Sequence, residues 1–135
     1  MLNIFDRARL YREIRRVLKS GGRFATFDVV SNGGDPHYPV SWARTPATSF
    51  LLTAAATREA IEAAGFNTQA WQDDTEAAKA WIAELRASGP PPSPNLGVVM
   101  GPDFAAVAGN LGRSLTEGRL GILTAVFEAA STSIQ

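Results

Sequence analysis

Four side chains able to bind and orient a small molecule lie in or just after the first apolar segment of the sequence. Asp28 lies near the end of that segment, and His37, Tyr38 and Trp42 follow in the connection after it. A carboxylate and an imidazole can hold or move a proton, and aromatic rings can wall a pocket. We therefore interpret Asp28, His37, Tyr38 and Trp42 as candidate substrate-binding residues.

Each candidate also has a structural explanation. Tyr38 and Trp42 could equally cap the core beneath a long loop, although loops carry function disproportionately. His37, the single histidine, stands near prolines and fits a solvated loop residue as well as a general base. Asp28 lies within an apolar run and needs a partner or solvent at its end. The sequence assigns no catalytic residue and no metal site.

The elements before these residues place them at one edge of a sheet. Apolar residues at helical spacing predict a surface helix over 6–19, with its five arginines largely off the apolar stripe. Gly21 or Gly22 ends it, and the β-prone run 24–30 predicts a strand covered on both faces. Since ligands of open α/β sheets bind beyond the carboxyl ends of strands, the long connection over 31–49 is the expected site.

The remainder of the chain continues the alternation of helix and strand. We predict helices over 53–64, 75–87 and 102–118, and strands over 67–73 and 119–129. Trp81 falls within the apolar stripe of its helix and is predicted to be core. The proline-rich stretch 88–97 is predicted to be a connector inside a single domain covering residues 1–135.

The composition narrows the class of protein. The chain has 135 residues, of which 45% are hydrophobic, and its 13 basic residues balance its 13 acidic ones. This balance gives no electrostatic reason to expect nucleic acid or an anionic membrane as a partner. The arginine-rich helix is interpreted as a solvated face rather than a phosphate-binding one. Cysteine is absent and no apolar run is long enough to span a bilayer, so we expect a cytoplasmic location.

One segment resembles a known family. The stretch NIFDRARLYREIRRVLKSGGRFATFDVV, residues 3–30, resembles the helix and following strand of class I S-adenosylmethionine-dependent methyltransferases with the type 11 domain. The most specific match is Arg16-Val17-Leu18-Lys19 followed by Gly21-Gly22. The later pieces YPVSWA, SFL, EAAGF and NLGRSLTEGRL, over 38–43, 49–51, 62–66 and 110–120, agree in order.

The resemblance implies a fold and locates the chain within it. The family's strand order is 3-2-1-4-5-7-6, and the three strands predicted here correspond to five, six and seven. The implied fold is a partial Rossmann-like α/β fold, with helices around a three-stranded mixed sheet, lacking the N-terminal half. That half carries the glycine-rich loop that approaches S-adenosylmethionine, and this sequence has no such loop opening a helix after an early strand.

The resemblance also implies a function. It predicts the C-terminal half of a methyltransferase acting on a small-molecule acceptor, with S-adenosylmethionine as the family's cofactor and Asn3 as the cofactor-binding candidate. This half is not expected to bind the cofactor alone. The alternative is a non-catalytic dimerising or regulatory module derived from such an enzyme. Because strand 24–30 would lack a neighbour, we expect a homodimer formed through that exposed sheet edge.

Overall fold

The computed structural model describes residues 1–89, 98–99 and 101–131. The described strands and the longer helices, in chain order, are α1 Arg7–Val17, β1 Arg23–Ser31, α2 Ala54–Ala63, β2 Phe66–Asp73, α3 Thr75–Ala87, α4 Phe104–Thr116 and β3 Leu120–Ala129. A short 3-10 turn, Pro46–Thr48, lies in the connection between β1 and α2. The predicted connector 88–97 lies outside the described residues apart from Ser88 and Gly89.

Helices α1 and α2 begin where capping side chains stand, whereas α1 ends at Val17, before its predicted end, and Leu18 is already extended. The Asp6 side chain accepts a hydrogen bond from the Arg9 N–H at the start of α1, and Thr53 caps α2 through the Ala56 N–H. Gly65 follows α2 with a φ of 104°, a conformation that only glycine adopts without strain. The helix predicted from Pro102 begins at Phe104 instead, because residues 101–103 form a turn.

The sheet has the strand order β1-β3-β2, the order predicted for strands five, seven and six. The prediction of a mixed sheet is wrong, because the neighbouring strands of the described sheet pair only in antiparallel fashion. Both β1 and β2 pair with β3 in antiparallel register, since the two mutually parallel strands are separated by the oppositely directed β3. Within the described chain, β1 is an edge strand, as expected for a strand that lacks one neighbour, although its apolar run is typical of a strand covered on both faces.

The two faces of the sheet are covered unequally. Helices α1 and α2 cover one face, where the fully buried Tyr11 and Ile61 pack against the sheet residues Phe66, Leu123 and Phe127. The opposite face meets α3 and α4 only near one end. That second core cluster is built around Leu115, Leu120 and Ile122.

Two side chains differ from their predicted environments. Trp81 is 62% exposed, because α3 turns Ala78 and Ile82 toward the core and leaves the neighbouring Trp81 facing outward. Arg7, grouped by sequence with the solvated arginines, is only 5% exposed. Among the described residues, no helix is long and apolar enough to cross a membrane.

Candidate functional site

A cavity of about 770 Å³ opens where β1 ends. The start of α1 forms one side and the returning end of the connection between β1 and α2 forms the other. The Ser31 N–H donates to the Leu52 carbonyl at 2.9 Å, so this connection leaves the sheet and comes back to the same edge. The carboxyl end of β1 thus has the open space that its position in the sheet predicted.

The walls of this cavity combine apolar and polar groups in comparable amounts. Phe50, Leu51 and Leu52 line it on the returning segment, and Tyr38 lines it on the outgoing one. Phe5 meets Phe50 edge to face with ring centroids 5.4 Å apart. Apolar and aromatic side chains beside polar groups that can orient a ligand are typical of small-molecule sites.

Arg7 is the cation of the cavity wall. It is the first residue of α1, one turn before Tyr11, and its Nη1 donates to the Tyr11 hydroxyl at 2.9 Å. Its Nη2 lies 3.4 Å from the Phe50 carbonyl oxygen, and its Nε is buried without a hydrogen-bond acceptor among the described residues. The i, i+4 spacing to Tyr11 was the sequence signal for this buried position, but the abundance of arginine on α1 concealed it.

Asp28 lies behind Arg7 and does not line the cavity. It is 6% exposed and faces the α1 side of the sheet. Burial raises the pKa of the Asp28 carboxyl, and the Arg7 charge opposes that rise only in part. Burial likewise raises the pKa of Tyr11. Asp28, Arg7 and Tyr11 therefore form a buried polar cluster whose Arg7 reaches the cavity wall.

His37 attaches the connection to α4. Its backbone N–H donates to the Ser114 Oγ at 2.9 Å, and its Nε2 lies 2.6 Å from the Glu117 Oε2. The hydrogen bond from His37 is the main reason why the pKa of the Glu117 carboxyl is lowered. His37 is outside the lining of the 770 Å³ cavity. In this arrangement it holds the segment that carries Tyr38.

Trp42 and Asn3 lie apart from the cavity lining. The Trp42 Nε1 donates to the Ser49 Oγ at 3.0 Å, and its ring packs against the second core cluster. Asn3 is exposed on the segment that precedes α1. Of the five residues singled out from sequence, Tyr38 is the one that lines the cavity in the part of the chain described.

The positions of the glycines relative to strands and helices test whether the described residues could form a binding loop for S-adenosylmethionine. The cradle for such a cofactor is a glycine loop that joins a strand to the start of a helix. Gly33 and Gly34 follow β1 but lead into the long connection, and Gly21 and Gly65 each follow a helix. The residues described here therefore do not supply that cradle.

Comparisons with known proteins identify the fold through structure and not through sequence. No protein-family model matches the sequence, and no curated protein matches it. Solved structures match almost the entire chain. The [4+2]-cyclase SpnF is 25% identical with a TM-score of 0.59, and the alignment covers 97% of this chain and 48% of SpnF.

Two further structures are methyltransferases. One is geranyl diphosphate C-methyltransferase from Streptomyces coelicolor A3(2), solved with geranyl diphosphate, Mg²⁺ and S-adenosyl-L-homocysteine. It is 19% identical to this chain with a TM-score of 0.63, and the alignment covers 93% of this chain and 43% of the enzyme. The other is the O-methyltransferase of a trans-AT PKS multienzyme from Brevibacillus brevis, in complex with S-adenosyl-L-homocysteine. It is 15% identical with a TM-score of 0.66, and the alignment covers 96% of this chain and 41% of the enzyme.

The coverage is as informative as the similarity. The chain aligns over nearly its full length, yet it spans less than half the length of each of these three structures. Its strand order agrees with strands five, seven and six of the resembling family. The chain therefore has a class I S-adenosylmethionine-dependent methyltransferase-like fold, and it matches less than half the length of these structures.

Proposed function

We propose that this chain is the acceptor-binding half of an S-adenosylmethionine-dependent methyltransferase acting on a small molecule. The observation that carries the proposal is the 770 Å³ cavity at the carboxyl end of β1, whose walls include aromatic and aliphatic side chains and one buried cation. Methyl transfer depends mainly on holding the acceptor atom in line with the methyl group. A cavity built from a strand end and a tied-down loop is suited to that task.

The predicted residues have different tasks in this proposal. Tyr38 contacts the acceptor as part of the cavity wall. Asp28 acts through Arg7, and His37 and Trp42 hold the connection in place through Glu117 and Ser49. Asn3, exposed on the segment before α1, remains the candidate for contact with the cofactor.

The proposal requires a glycine-rich cofactor loop from a further polypeptide segment, either of the same chain or of a partner. The sulfonium cofactor would supply the methyl group, and the residues described here would bind and orient the acceptor. We therefore expect no micromolar binding when the 135-residue chain alone is titrated with S-adenosylmethionine in a calorimeter. Micromolar binding by the chain alone would show that a cofactor site lies within it and would overturn this division of labour.

The genomic sequence provides the second part of the test. We expect the DNA before the Met1 codon, or a neighbouring gene, to encode a strand–glycine loop–helix segment. Co-expression of that segment with this chain is expected to restore S-adenosylmethionine binding. If no such segment is encoded, the methyltransferase proposal fails and the non-catalytic alternative is favoured.

A non-catalytic dimerising or regulatory module is the second candidate function. It is favoured by the free edge of β1, which within the described residues pairs with β3 on one side and, at Ser31 alone, with Thr53 on the other. It is also favoured by Phe27, whose ring is 71% exposed on the partly covered sheet face. Pairing with a second copy of the chain would cover both features.

A further inference from the structure

We propose that the cavity at the end of β1 binds a small molecule bearing a single carboxylate, which pairs with Arg7. This inference rests on the proposed acceptor site and names the chemical class of the acceptor. It is drawn from the surroundings of Arg7, from the charges of the lining and from the apolar side chains of the walls.

The first step is the incomplete pairing of a buried guanidinium. Arg7 is 5% exposed, yet its described hydrogen bonds go to two uncharged oxygens, the Tyr11 hydroxyl and the Phe50 carbonyl. None of the ion pairs among the described residues includes Arg7. A buried charge is costly unless it is paired and hydrogen-bonded, and the buried Nε still has a free N–H.

The second step is the position of the nearest countercharge. Asp28 interacts with Arg7 through space but lies outside the cavity lining. Arg7 thus lines the cavity, while the Asp28 carboxylate lies beyond ion-pair distance and outside the lining. A ligand carboxylate entering the cavity would give Arg7 the direct, charge-assisted hydrogen bonds that the protein does not provide.

The third step is the charge of the ligand. Among the described residues, Arg7 is the single basic residue of the lining, whereas Asp6 and Asp35 bring two exposed carboxylates. One cation can neutralise a monoanion, but a phosphate or diphosphate would leave excess negative charge near these carboxylates. The lining thus favours a carboxylate over a phosphate ester. Phe50, Leu51 and Leu52 would contact the apolar body of the ligand.

The test compares three probes that share a phenyl ring; phenylacetate and phenylacetamide are nearly isosteric, and phenylphosphate carries the larger charge. Phenylacetate, phenylacetamide and phenylphosphate are titrated into the ¹⁵N-labelled 135-residue chain, and binding is followed by nuclear magnetic resonance. We expect phenylacetate to bind at least fivefold more tightly than either of the others and to shift the Arg7 guanidinium resonance. Equal binding of phenylacetamide, tighter binding of phenylphosphate, or an Arg7 resonance that does not respond would each overturn the proposal.

Variants then assign the preference to one residue. Arg7→Gln is expected to remove the preference for phenylacetate over phenylacetamide, whereas Arg9→Gln, an exposed arginine on the same helix, is expected to keep it. A preference retained in Arg7→Gln would contradict the proposal. If Arg7→Gln does not fold, the guanidinium resonance of the unaltered chain decides. These probes are read without S-adenosylmethionine, so phenylacetate binding together with a co-expressed complex that binds no S-adenosylmethionine would overturn the proposed function alone.

Discussion

Asp28 and Arg7 show how burial changes the behaviour of charged residues that the sequence alone presents as ordinary. Asp28 lies on the buried face of β1 and Arg7 on the buried side of α1, with Tyr11 between the helix and the sheet. Removing a carboxylate from water favours its protonated form, and the Arg7 charge only partly restores the ionised form. The cluster consequently costs stability when Asp28 is ionised.

This cost predicts the pH dependence of an Asp28→Asn variant. Because the pKa of Asp28 is higher in the folded chain than in the unfolded one, folding binds protons, and the Asp28 contribution to stability falls as pH rises through that interval. Asn cannot ionise and lacks this fall. We expect the stability of Asp28→Asn relative to the unaltered chain to increase from pH 3.5 to pH 7 in urea unfolding. Asp35→Asn, an exposed aspartate, is the matched control. A difference that is the same at both pH values would contradict the assignment.

At the scale of the elements, the double glycine after α1 has two separate physical reasons. Gly21 has a φ of 80°, in the left-handed region, and lies in the turn that follows the end of α1 at Val17. Gly22 has no room for a side chain, since a Cβ there would lie 2.8 Å from the Lys19 carbonyl oxygen. The two glycines also exchange backbone hydrogen bonds with Ala129 at the end of β3. This turn therefore fixes where β1 enters the sheet.

The close approach at Gly22 makes a substitution there costly. We expect Gly22→Ala to lower the free energy of unfolding by about 1–3 kcal/mol, the usual range for atoms forced into a packed region. Gly109→Ala is the matched control, because Gly109 lies within α4 with open space around it. Alanine there should raise stability by about 1 kcal/mol through helix propensity. Chemical denaturation measures both, and a neutral Gly22→Ala would contradict the packing argument.

Hydrogen bonds to side chains of α4 hold the connection after β1 in place. The buried Ser114 Oγ accepts the His37 N–H and donates to the Asn110 carbonyl at 2.7 Å. The Asn110 side chain in turn donates to the Pro39 carbonyl at 2.9 Å. These bonds hold the segment that carries Tyr38 at the cavity wall.

Removal of the Ser114 hydroxyl tests this attachment. We expect Ser114→Ala to lower the free energy of unfolding by about 1 kcal/mol or more, because the His37 N–H loses its acceptor. Hydrogen exchange at the His37 amide should become faster. Ser88→Ala, which removes an exposed hydroxyl bonded to the Glu84 carbonyl, is the control and should leave that exchange rate unchanged. An unchanged rate in Ser114→Ala would show that the segment is held elsewhere.

At the scale of the whole molecule, the sheet is covered on one side and open on part of the other. Phe27 is 71% exposed on the face that α3 and α4 reach only at one end, and β1 lies at the edge of the described sheet. An apolar face beside an unpaired strand edge tends to acquire a partner. In a complete methyltransferase fold the N-terminal half would be that partner, and in the isolated chain a second copy could take its place.

Light scattering tests self-pairing through this region. We expect the purified chain to have the mass of two copies, and Phe27→Lys to have the mass of one, because a charge at position 27 would oppose burial of that face. Phe5→Lys is the matched control, since Phe5 is also highly exposed but belongs to the cavity rim. It should remain paired. A mass of one copy for the unaltered chain would contradict homodimerisation.

The amino-acid sequence alone determined the elements and their order. Strand predictions over 24–30, 67–73 and 119–129 agree with β1, β2 and β3 to within one residue at each end, and helix 75–87 agrees with α3. Apolar periodicity, caps such as Thr53 and stops such as Gly65 act over a few residues, so they can be detected locally. The family resemblance then supplied the strand order that the sheet has.

Only the tertiary structure decided which side chains are buried and which line the cavity. Arg7 was predicted to be exposed and is buried, whereas Trp81 was predicted to be buried and is exposed. The exposure of a helical residue depends on which neighbour packs against that side of the helix. The cavity joins residues far apart in sequence, such as Arg7, Tyr38 and Phe50, and no local pattern records that they meet.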